Sequence, residues 1–251
     1  INEGIQVTEL TKELSRILES DHLALTNSGT SALTLALKLA GVGHDDEVIS
    51  TPMTCVATNT PIHNLGAQVI WADVNPEHGM IDPQSVKNKI TSKTKAIMAV
   101  AWAGTPPELC ELRKICDDFN IPLILDAAHA FAARYQNKPI HAWADFTCYS
   151  FQAIKHFTTG DGGAIVCKNE QDYARSKSLK WFGLDRDKAK DEKGDWKGQQ
   201  WDVDVEESGF KFNMNNVAAA IGLSQTKFID GIIAAHKSNA AFYDTQFSNF
   251  D

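Results

Sequence analysis

The chain has 251 residues, of which 43% are apolar and 22% are charged, and its formal net charge is −8. This composition is typical of a globular protein and excludes collagen-like, coiled-coil and disordered chains. The acidic balance, without a basic stripe, argues against a nucleic-acid partner, and no apolar run reaches the ~20 residues of a membrane span. Five scattered cysteines with no CxxC pair predict neither a metal site nor a disulfide framework, which favours a cytoplasmic location.

In chain order, segments with apolar residues at helical spacing alternate with short apolar segments that are typical of strands. Helices are predicted at 8–18, 32–40, 54–65, 82–90, 108–119 and from 217. Strands are predicted at 24–26, 47–49, 68–72, 94–102, 122–125, 146–151 and 164–166. The alternation predicts an α/β fold with a mostly parallel sheet and helices on both faces. Such sheets bind ligands beyond the carboxyl ends of their strands.

The segment Asn27-Ser28-Gly29-Thr30-Ser31 lies where a strand turns into a helix. Backbone N–H groups and the helix dipole converge at such a point, and the hydroxyls of Thr30 and Ser31 add donors, so the segment suits a phosphate. Serine and threonine are also ordinary helix N-caps, and this motif alone leaves a purely structural role open.

A second segment is an apolar strand that ends abruptly at Asp126 and is followed by two alanines and His129. A carboxylate at the end of a buried strand is costly unless it pairs with a cation. A protonated pyridinium nitrogen is one such cation. The alternative is an N-cap aspartate that begins the next helix.

The third segment places Lys155 between a strand and the Gly-Asp-Gly-Gly turn at 160–163, with apolar neighbours. A partly desolvated lysine can form a Schiff base, and the glycines allow the backbone to turn tightly behind it. The alternative is a solvated surface lysine.

Two further segments follow in the C-terminal part of the chain. Residues 185–207 are rich in charge, with Trp196 and Trp201 as their large apolar residues, and this composition predicts a solvated loop or a lid. Residues 209–217 alternate aromatic and polar side chains before an alanine-rich helix. If the segment is extended, Lys211 and Asn213 lie on one face, whereas the asparagines alone predict only helix capping.

Together the phosphate-binding segment, the Asp-x-x-His motif and the lysine are the parts of a fold-type I pyridoxal-phosphate (PLP) enzyme. Their order and spacing resemble the DegT/DnrJ/StrS family of sugar aminotransferases. The matching motifs are Asn-Ser-Gly-Thr-Ser-Ala-Leu (27–33), Thr-Pro-x-Thr-x-x-Ala-Thr-Asn (51–59), Asp-Ala-Ala-His-Ala (126–130), Ser-Phe-x-x-x-Lys-x-x-Thr-x-Gly-Asp-Gly-Gly (150–163) and Gly-Phe-Lys-Phe-Asn-Met-Asn (209–215).

The resemblance implies a fold-type I PLP-transferase large domain with PLP as its cofactor. Lys155 would form the Schiff base and act as the catalytic base, Asp126 would pair with the pyridinium nitrogen, and His129, where glutamine is frequent, would lie near the ring oxygen. Cys55 stands where many relatives carry an aromatic residue that stacks on the ring. The phosphate would be held by Gly29, Thr30, Ser31 and Ser150.

The resemblance also implies a homodimer with composite active sites, in which Lys211 and Asn213 reach the phosphate in the neighbouring subunit. Relatives often carry Asn and Arg at these two positions. Family members continue with a smaller C-terminal domain, so residues 1–251 are expected to be the large domain of a longer protein.

The activity that the resemblance implies is the transfer of an amino group from an amino acid, with glutamate as the usual donor, to a nucleotide-linked keto-sugar. One alternative is the family's sugar dehydratase branch, which has histidine at the lysine position; here His156 is adjacent to Lys155 and does not replace it. A second alternative is a truncated, non-catalytic dimerising module.

Overall fold

The structure, a computed structural model, describes residues 3–185 and 204–248. Most of the segment 185–207, predicted to be a loop or a lid, therefore lies outside the described residues. The helices in the described ranges are α1 (Ile5–Leu18), α2 (Gly29–Leu39), α3 (Val56–Asn64), α4 (Pro83–Lys89), α5 (Leu109–Phe119), α6 (Glu170–Leu179), α7 (Asn216–Thr226) and α8 (Ile229–Phe247). The strands there are β1 (Leu23–Thr26), β2 (Glu47–Ser50), β3 (Gln68–Trp71), β4 (Thr94–Val100), β5 (Leu123–Asp126), β6 (Arg134–Tyr135), β7 (Lys138–Pro139), β8 (Phe146–Ser150) and β9 (Gly163–Cys167).

Seven of these strands form one sheet in the order β1-β9-β8-β5-β4-β2-β3. Strands β3, β2, β4, β5 and β8 run parallel, and β9 is antiparallel to both of its neighbours. Since β9 lies between β1 and β8 and opposes both, the ends of β1 and β8 meet at one edge of the sheet: Gly163 pairs with Thr26 and with Ser150. The predicted mostly parallel sheet is confirmed.

Apolar side chains pack on both faces of the sheet, as the alternation of its strand residues requires. One core cluster joins inward residues of α1, α5 and α7 to one face, exemplified by Leu10, Leu112 and Ala219. The other joins α2, α3 and α6 to the opposite face and includes the fully buried Leu35 and Ile62. The prediction of helices on both faces is therefore confirmed.

Two differences from the predicted elements are the end of β4, which bears on the site, and helix α6. Strand β4 ends at Val100, and Trp102–Gly104 form a short 3-10 turn in which Ala103 has a positive φ of 52°. Helix α6 is not among the predicted helices. Its buried residues are few, Ser176 and Leu179, and its polar sequence shows no helical apolar pattern.

Within residues 3–185 and 204–248, no single helix is long and apolar enough to cross a membrane. Helices α7 and α8 together reach the length and composition of a span, but they are bent by 64°.

Candidate active site

A cavity of about 370 Å³ opens at the edge of the sheet where the parallel strands end. Most of the residues predicted for the site line it: Gly29, Thr30, Cys55, Asp126, His129, Ser150 and Lys155. Ser31, Lys211 and Asn213 lie outside this lining. The predicted residues that line the cavity come from four segments that are distant in sequence and converge on one space, as expected for the carboxyl edge of a parallel sheet.

The N-terminus of α2 forms one wall of the cavity. Ser28 is its N-cap, and its Oγ accepts a hydrogen bond from the N–H of Ser31 at 3.0 Å. The Ser31 hydroxyl donates to Oδ1 of Asn27 at 2.6 Å, so Ser31 takes part in capping, which is the structural alternative for this motif. The N–H groups of Gly29 and Thr30 belong to the first helical turn, which has no intrahelical acceptors for them.

Glycines allow this helix end to lie directly against the strand ends. A Cβ atom on Gly29 would lie 2.8 Å from Cβ of Ser150, and one on Gly163 would lie 2.6 Å from the carbonyl oxygen of Ser28. Neither approach is possible for a residue with a side chain. The close packing places the Ser150 hydroxyl beside the first turn of α2, where an anion would find backbone and hydroxyl donors together.

Asp126 ends β5 and is 5% exposed. Its Oδ2 accepts from the Thr58 hydroxyl at 2.7 Å, and its Oδ1 accepts from the N–H of Ala128 at 3.1 Å. Burial raises the pKa of Asp126, whereas these two bonds and the nearby His129 and Lys155 oppose that rise. Residues 127–130 form a turn and no helix begins there, so the helix N-cap interpretation is wrong.

His129 is held at the cavity by the turn that follows β4. The N–H of Ala103 donates to its Nδ1 at 3.3 Å, and the Trp102 ring lies 5.1 Å from the imidazole, tilted by 57°. Burial, together with the charge of Lys155, lowers the pKa of His129, and Asp126 acts in the opposite direction. A neutral ring whose Nδ1 is an acceptor carries its proton on Nε2.

Lys155 lies in the turn after β8, where its N–H donates to the carbonyl of Gln152 at 2.9 Å. Among the described residues it is the one lysine in the cavity lining, and its side chain is half-buried. This position favours a role in the site over a solvated surface lysine, and the Schiff-base role stays a prediction. The adjacent His156 is not in the lining, and its ring packs edge-to-face on His236 of α8 with centroids 4.9 Å apart.

The segment at 210–214 is extended and alternates as the sequence predicts. The rings of Phe210 and Phe212 stack with centroids 4.5 Å apart, while Nζ of Lys211 donates to Oδ1 of Asn213 at 2.7 Å on the other face. The carbonyl of Phe212 accepts from the N–H of Asn27 at 2.7 Å, which ties the segment to the start of the α2 loop. The anion assigned to Lys211 and Asn213 stays a prediction.

Asn215 caps α7 by accepting from the N–H groups of residues 217 and 218, both at 3.0 Å, which confirms the predicted capping. Cys55 is the N-cap residue of α3 and is exposed at the cavity. Its thiol and those of Cys110, Cys116, Cys148 and Cys167 are all free.

The groups that converge here fit PLP. One cavity holds an amine for its aldehyde, a buried carboxylate for its ring nitrogen, an imidazole donor for its ring oxygen, and a helix N-terminus with a serine hydroxyl for its phosphate. The fold and this site define the class of PLP-dependent fold-type I transferases. The chain belongs to the DegT/DnrJ/EryC1/StrS aminotransferase family, whose model matches residues 1–251.

Individual relatives agree with this placement. The chain is 32% identical over 251 residues to the spore coat polysaccharide biosynthesis protein SpsC of Bacillus subtilis, covering 98% of this chain and 63% of SpsC. It is 34% identical to the structure of the sugar aminotransferase CalS13 from Micromonospora echinospora, with a TM-score of 0.91, covering 100% of this chain and 68% of CalS13. The PMP-form of the putative sugar aminotransferase Spr1654 from Streptococcus pneumoniae is 29% identical, with a TM-score of 0.89, covering 99% of this chain and 67% of Spr1654.

The chain spans 58% and 63% of the lengths of two curated relatives that it matches. The structure of Spr1654 is known in a PLP-form as well as the PMP-form.

Proposed function

We propose that this protein is a PLP-dependent aminotransferase that moves an amino group from an amino acid, glutamate, to a nucleotide-linked keto-sugar. The observation that carries the proposal is the cavity in which Lys155 and the buried Asp126 lie together. Support also comes from the family and from neighbours described as sugar aminotransferases. We further propose that residues 1–251 form the cofactor-binding domain of the protein.

Each group in the cavity would have one task toward the cofactor. PLP, when bound, supplies an aldehyde that reacts with amines and a ring that accepts electrons. Lys155 would hold it through Nζ, and Asp126 would hold a proton at its ring nitrogen. The Nε2–H of His129 would donate to the ring oxygen. The phosphate would lie at Gly29, Thr30 and the Ser150 hydroxyl.

Lys155 would have a second task after the amino donor has entered. Its Nζ, then a free amine inside the cavity, can take the proton from the α carbon of the donor and return it at a different atom. The half-buried position of Lys155 restricts the access of water to this proton.

No specific observation favours the two alternatives. A dehydratase of this family would have histidine at the position of Lys155, and the histidine present, His156, contacts His236 and lies outside the cavity lining. A non-catalytic module has no need of an amine, a carboxylate and an imidazole in one cavity, whereas the structure brings all three together.

A homodimer with composite sites belongs to the same proposal. Met53, Val56 and Ile154 lie at or near the cavity lining and are 44%, 76% and 82% exposed. Apolar side chains exposed in one place favour an interface, which would bring the neighbouring copy's Lys211 and Asn213 to the phosphate. We also propose a cytoplasmic location, which the five free thiols support.

The experiment is a two-stage assay of the purified protein with PLP. Glutamate alone should convert the bound cofactor to its amine form, and a panel of nucleotide-linked keto-sugars should then restore the aldehyde form, with an aminated sugar as product. Lys155→Ala should abolish turnover. A wild-type protein whose cofactor spectrum does not respond to any amino donor would contradict the proposal, and a dehydrated product would favour the dehydratase.

A further inference from the structure

Asp126 is a buried carboxylate, and its protonation state without cofactor depends on the groups that surround it. The carboxylate is buried at the end of β5, yet within the described part of the chain no lysine or arginine forms an ion pair with it. A buried carboxylate without a cation is strongly disfavoured unless hydrogen bonds satisfy its oxygens. Those bonds therefore decide whether Asp126 is charged before a cofactor arrives.

Two donors supply the bonds, one to each oxygen. The N–H of Ala128 reaches Oδ1, which is a local contact within the turn after β5. The Thr58 hydroxyl reaches Oδ2 at 2.7 Å from α3, 68 residues away in sequence. Thr58 is 1% exposed, so water does not compete for this bond.

A second hydroxyl extends the contact. The Oγ1 atoms of Thr54 and Thr58 are 2.7 Å apart, and either could be the donor from distance alone. Because the proton of Thr58 is directed at Asp126, the Thr54 hydroxyl must be the donor in this pair. Both threonines lie in the cavity lining. The result is a directed chain from Thr54 through Thr58 to the carboxylate, in which each bond polarises the next.

A separate contact fixes the helix that carries Thr58. Asn59, the next residue, is buried; its Oδ1 accepts from the Ser50 hydroxyl at 2.7 Å, and its Nδ2 donates to the carbonyl of Thr51 at 3.1 Å. These bonds attach the first turn of α3 to the end of β2. The Thr58 hydroxyl is therefore placed by the sheet itself and not by a mobile loop.

We propose that Thr54 and Thr58 are positioning residues that hold Asp126 as a charged acceptor directed at the cavity. The inference rests on the proposed function, since the carboxylate that these two hydroxyl groups would hold is the one that would face the ring nitrogen of PLP. Other groups near Asp126 are Lys155, whose charge favours the carboxylate, the imidazole of His129, which would favour it only when protonated, and the Cys148 thiol on the adjacent strand β8. The hydroxyl chain differs from these groups because it acts without any titration of its own.

The test compares Thr58→Val, which keeps the shape and removes the hydroxyl, with Thr58→Ser, which keeps the hydroxyl. Thr60→Val is the matched control, because Thr60 is on the same helix, is exposed, and its hydroxyl donates to the carbonyl of Val56 at 2.9 Å. In the protein without cofactor, carboxyl ¹³C NMR, assigned with Asp126→Asn, should show the Asp126 midpoint about one pH unit higher or more in Thr58→Val, as expected for a lost bond to a charged group.

The second measurement is equilibrium binding of PLP and of an analogue in which CH replaces the ring nitrogen. Thr58→Val should weaken PLP binding about tenfold and leave analogue binding unchanged, whereas Thr58→Ser and Thr60→Val should resemble wild type for both ligands. Thr54→Val should weaken PLP binding less, by about threefold. Thermal melts show whether each variant is folded. If Thr58→Val does not fold, Thr54→Val, which removes the hydroxyl farther from Asp126, takes its place in both measurements.

An unshifted Asp126 midpoint would overturn the proposal, whether or not PLP binds. Equal losses for PLP and the analogue would also overturn it, because they would mean a structural role that is independent of the ring nitrogen. Failure of the proposed function has a different signature: wild type would bind neither ligand, while the NMR titration would still report on Thr58 and Asp126.

Discussion

The backbone N–H of Ala103 donates to Nδ1 of His129 across 3.3 Å, so one loop decides which ring nitrogen of His129 carries the proton. Ala103 has a φ of 52°, and Gly104 beside it has a φ of 89°. A non-glycine residue in this region carries strain, and here the strained residue directs its N–H at the imidazole. The turn after β4 thus presents His129 to the cavity as an Nε2–H donor.

The first prediction concerns this tautomer. Imidazole ¹⁵N NMR of the protein at neutral pH, assigned with His129→Phe, should show His129 as the Nε2–H form. His129→Gln should keep cofactor affinity within about threefold, because an amide can accept from Ala103 and donate to the ring oxygen at once. His129→Phe should lose more. A signal from the Nδ1–H form would show that the Ala103 bond does not form.

The second prediction concerns the approach of Gly163 to the α2 loop. Gly163→Ala would bring a methyl group 2.6 Å from the Ser28 carbonyl and 2.7 Å from the Gly29 nitrogen. These atoms belong to the backbone of the Ser28–Gly29 peptide, which cannot move aside as a side chain would, so we expect a loss of about 2–3 kcal/mol in the free energy of unfolding and weaker cofactor binding. Denaturant unfolding and PLP titration measure the two effects.

Gly231→Ala is the matched control for this substitution. Gly231 lies within α8, and a Cβ atom there would meet nothing within 4 Å. The free energy of unfolding should therefore rise by up to about 1 kcal/mol through helix propensity. Equal behaviour of the two alanine variants would disprove the close contact at Gly163.

The third prediction concerns pH and the ion pair of Arg113 with Asp145. Arg113 Nη1 lies 2.6 Å from Asp145 Oδ2, which also accepts from the N–H of Leu123 at 2.8 Å. Burial raises the pKa of Asp145, but these bonds outweigh it, and the net effect lowers the pKa below its usual value. A lowered folded-state pKa gives stability above the unfolded pKa of about 3.9, which is lost as the pH falls through the folded value.

Asp145→Asn should accordingly cost about 2–3 kcal/mol in the free energy of unfolding at pH 7, since it removes the more buried of the two carboxylates that pair with Arg113. The difference from wild type should shrink as the pH falls below about 4. Urea unfolding at a series of pH values measures it, with Asp117→Asn as a control for the more exposed partner of Arg113. A difference that is constant with pH would contradict the assigned ion pair.

The fourth prediction concerns the thiols. Cys55 is exposed at the cavity, whereas Cys116, Cys148 and Cys167 are buried. Burial raises the pKa of Cys116 to about 12 and that of Cys167 to about 12, so these thiols should resist alkylation. Iodoacetamide followed by peptide mass analysis should find Cys55 modified faster than the buried three, and PLP should slow that modification. Equal rates with and without PLP would place Cys55 outside the cofactor site.

The sequence predicts the elements whose chemistry or periodicity is local. Helix α1 follows from leucines at helical spacing, and Asp126 stands out because a carboxylate directly ends an apolar run. Helix α6 was not predicted, because its buried residues are few and polar residues fill the rest. Its side-chain N-cap, Asn169, is the local signal that could have indicated it.

Contacts over long sequence distances account for what was missed in the site. The role of Thr58 depends on a partner 68 residues away, and no local pattern reports such a pair. The sequence signal that could have indicated this contact is the presence of two threonines, Thr54 and Thr58, four residues apart in the motif at 51–59. Ser31 is a different case, because its contact is local: the sequence offers it as a phosphate ligand, whereas its hydroxyl donates to Asn27, four residues before it, within the helix cap.

The proposed function requires Lys155 to be the amine that holds the cofactor. The most direct measurement is to reduce the PLP-loaded protein with borohydride, digest it and locate the modified lysine by mass spectrometry. We expect a single modified peptide, with the cofactor mass on Lys155, and no modification in Lys155→Ala. A cofactor attached to another lysine, or a wild-type protein that retains PLP without any reducible bond, would contradict it.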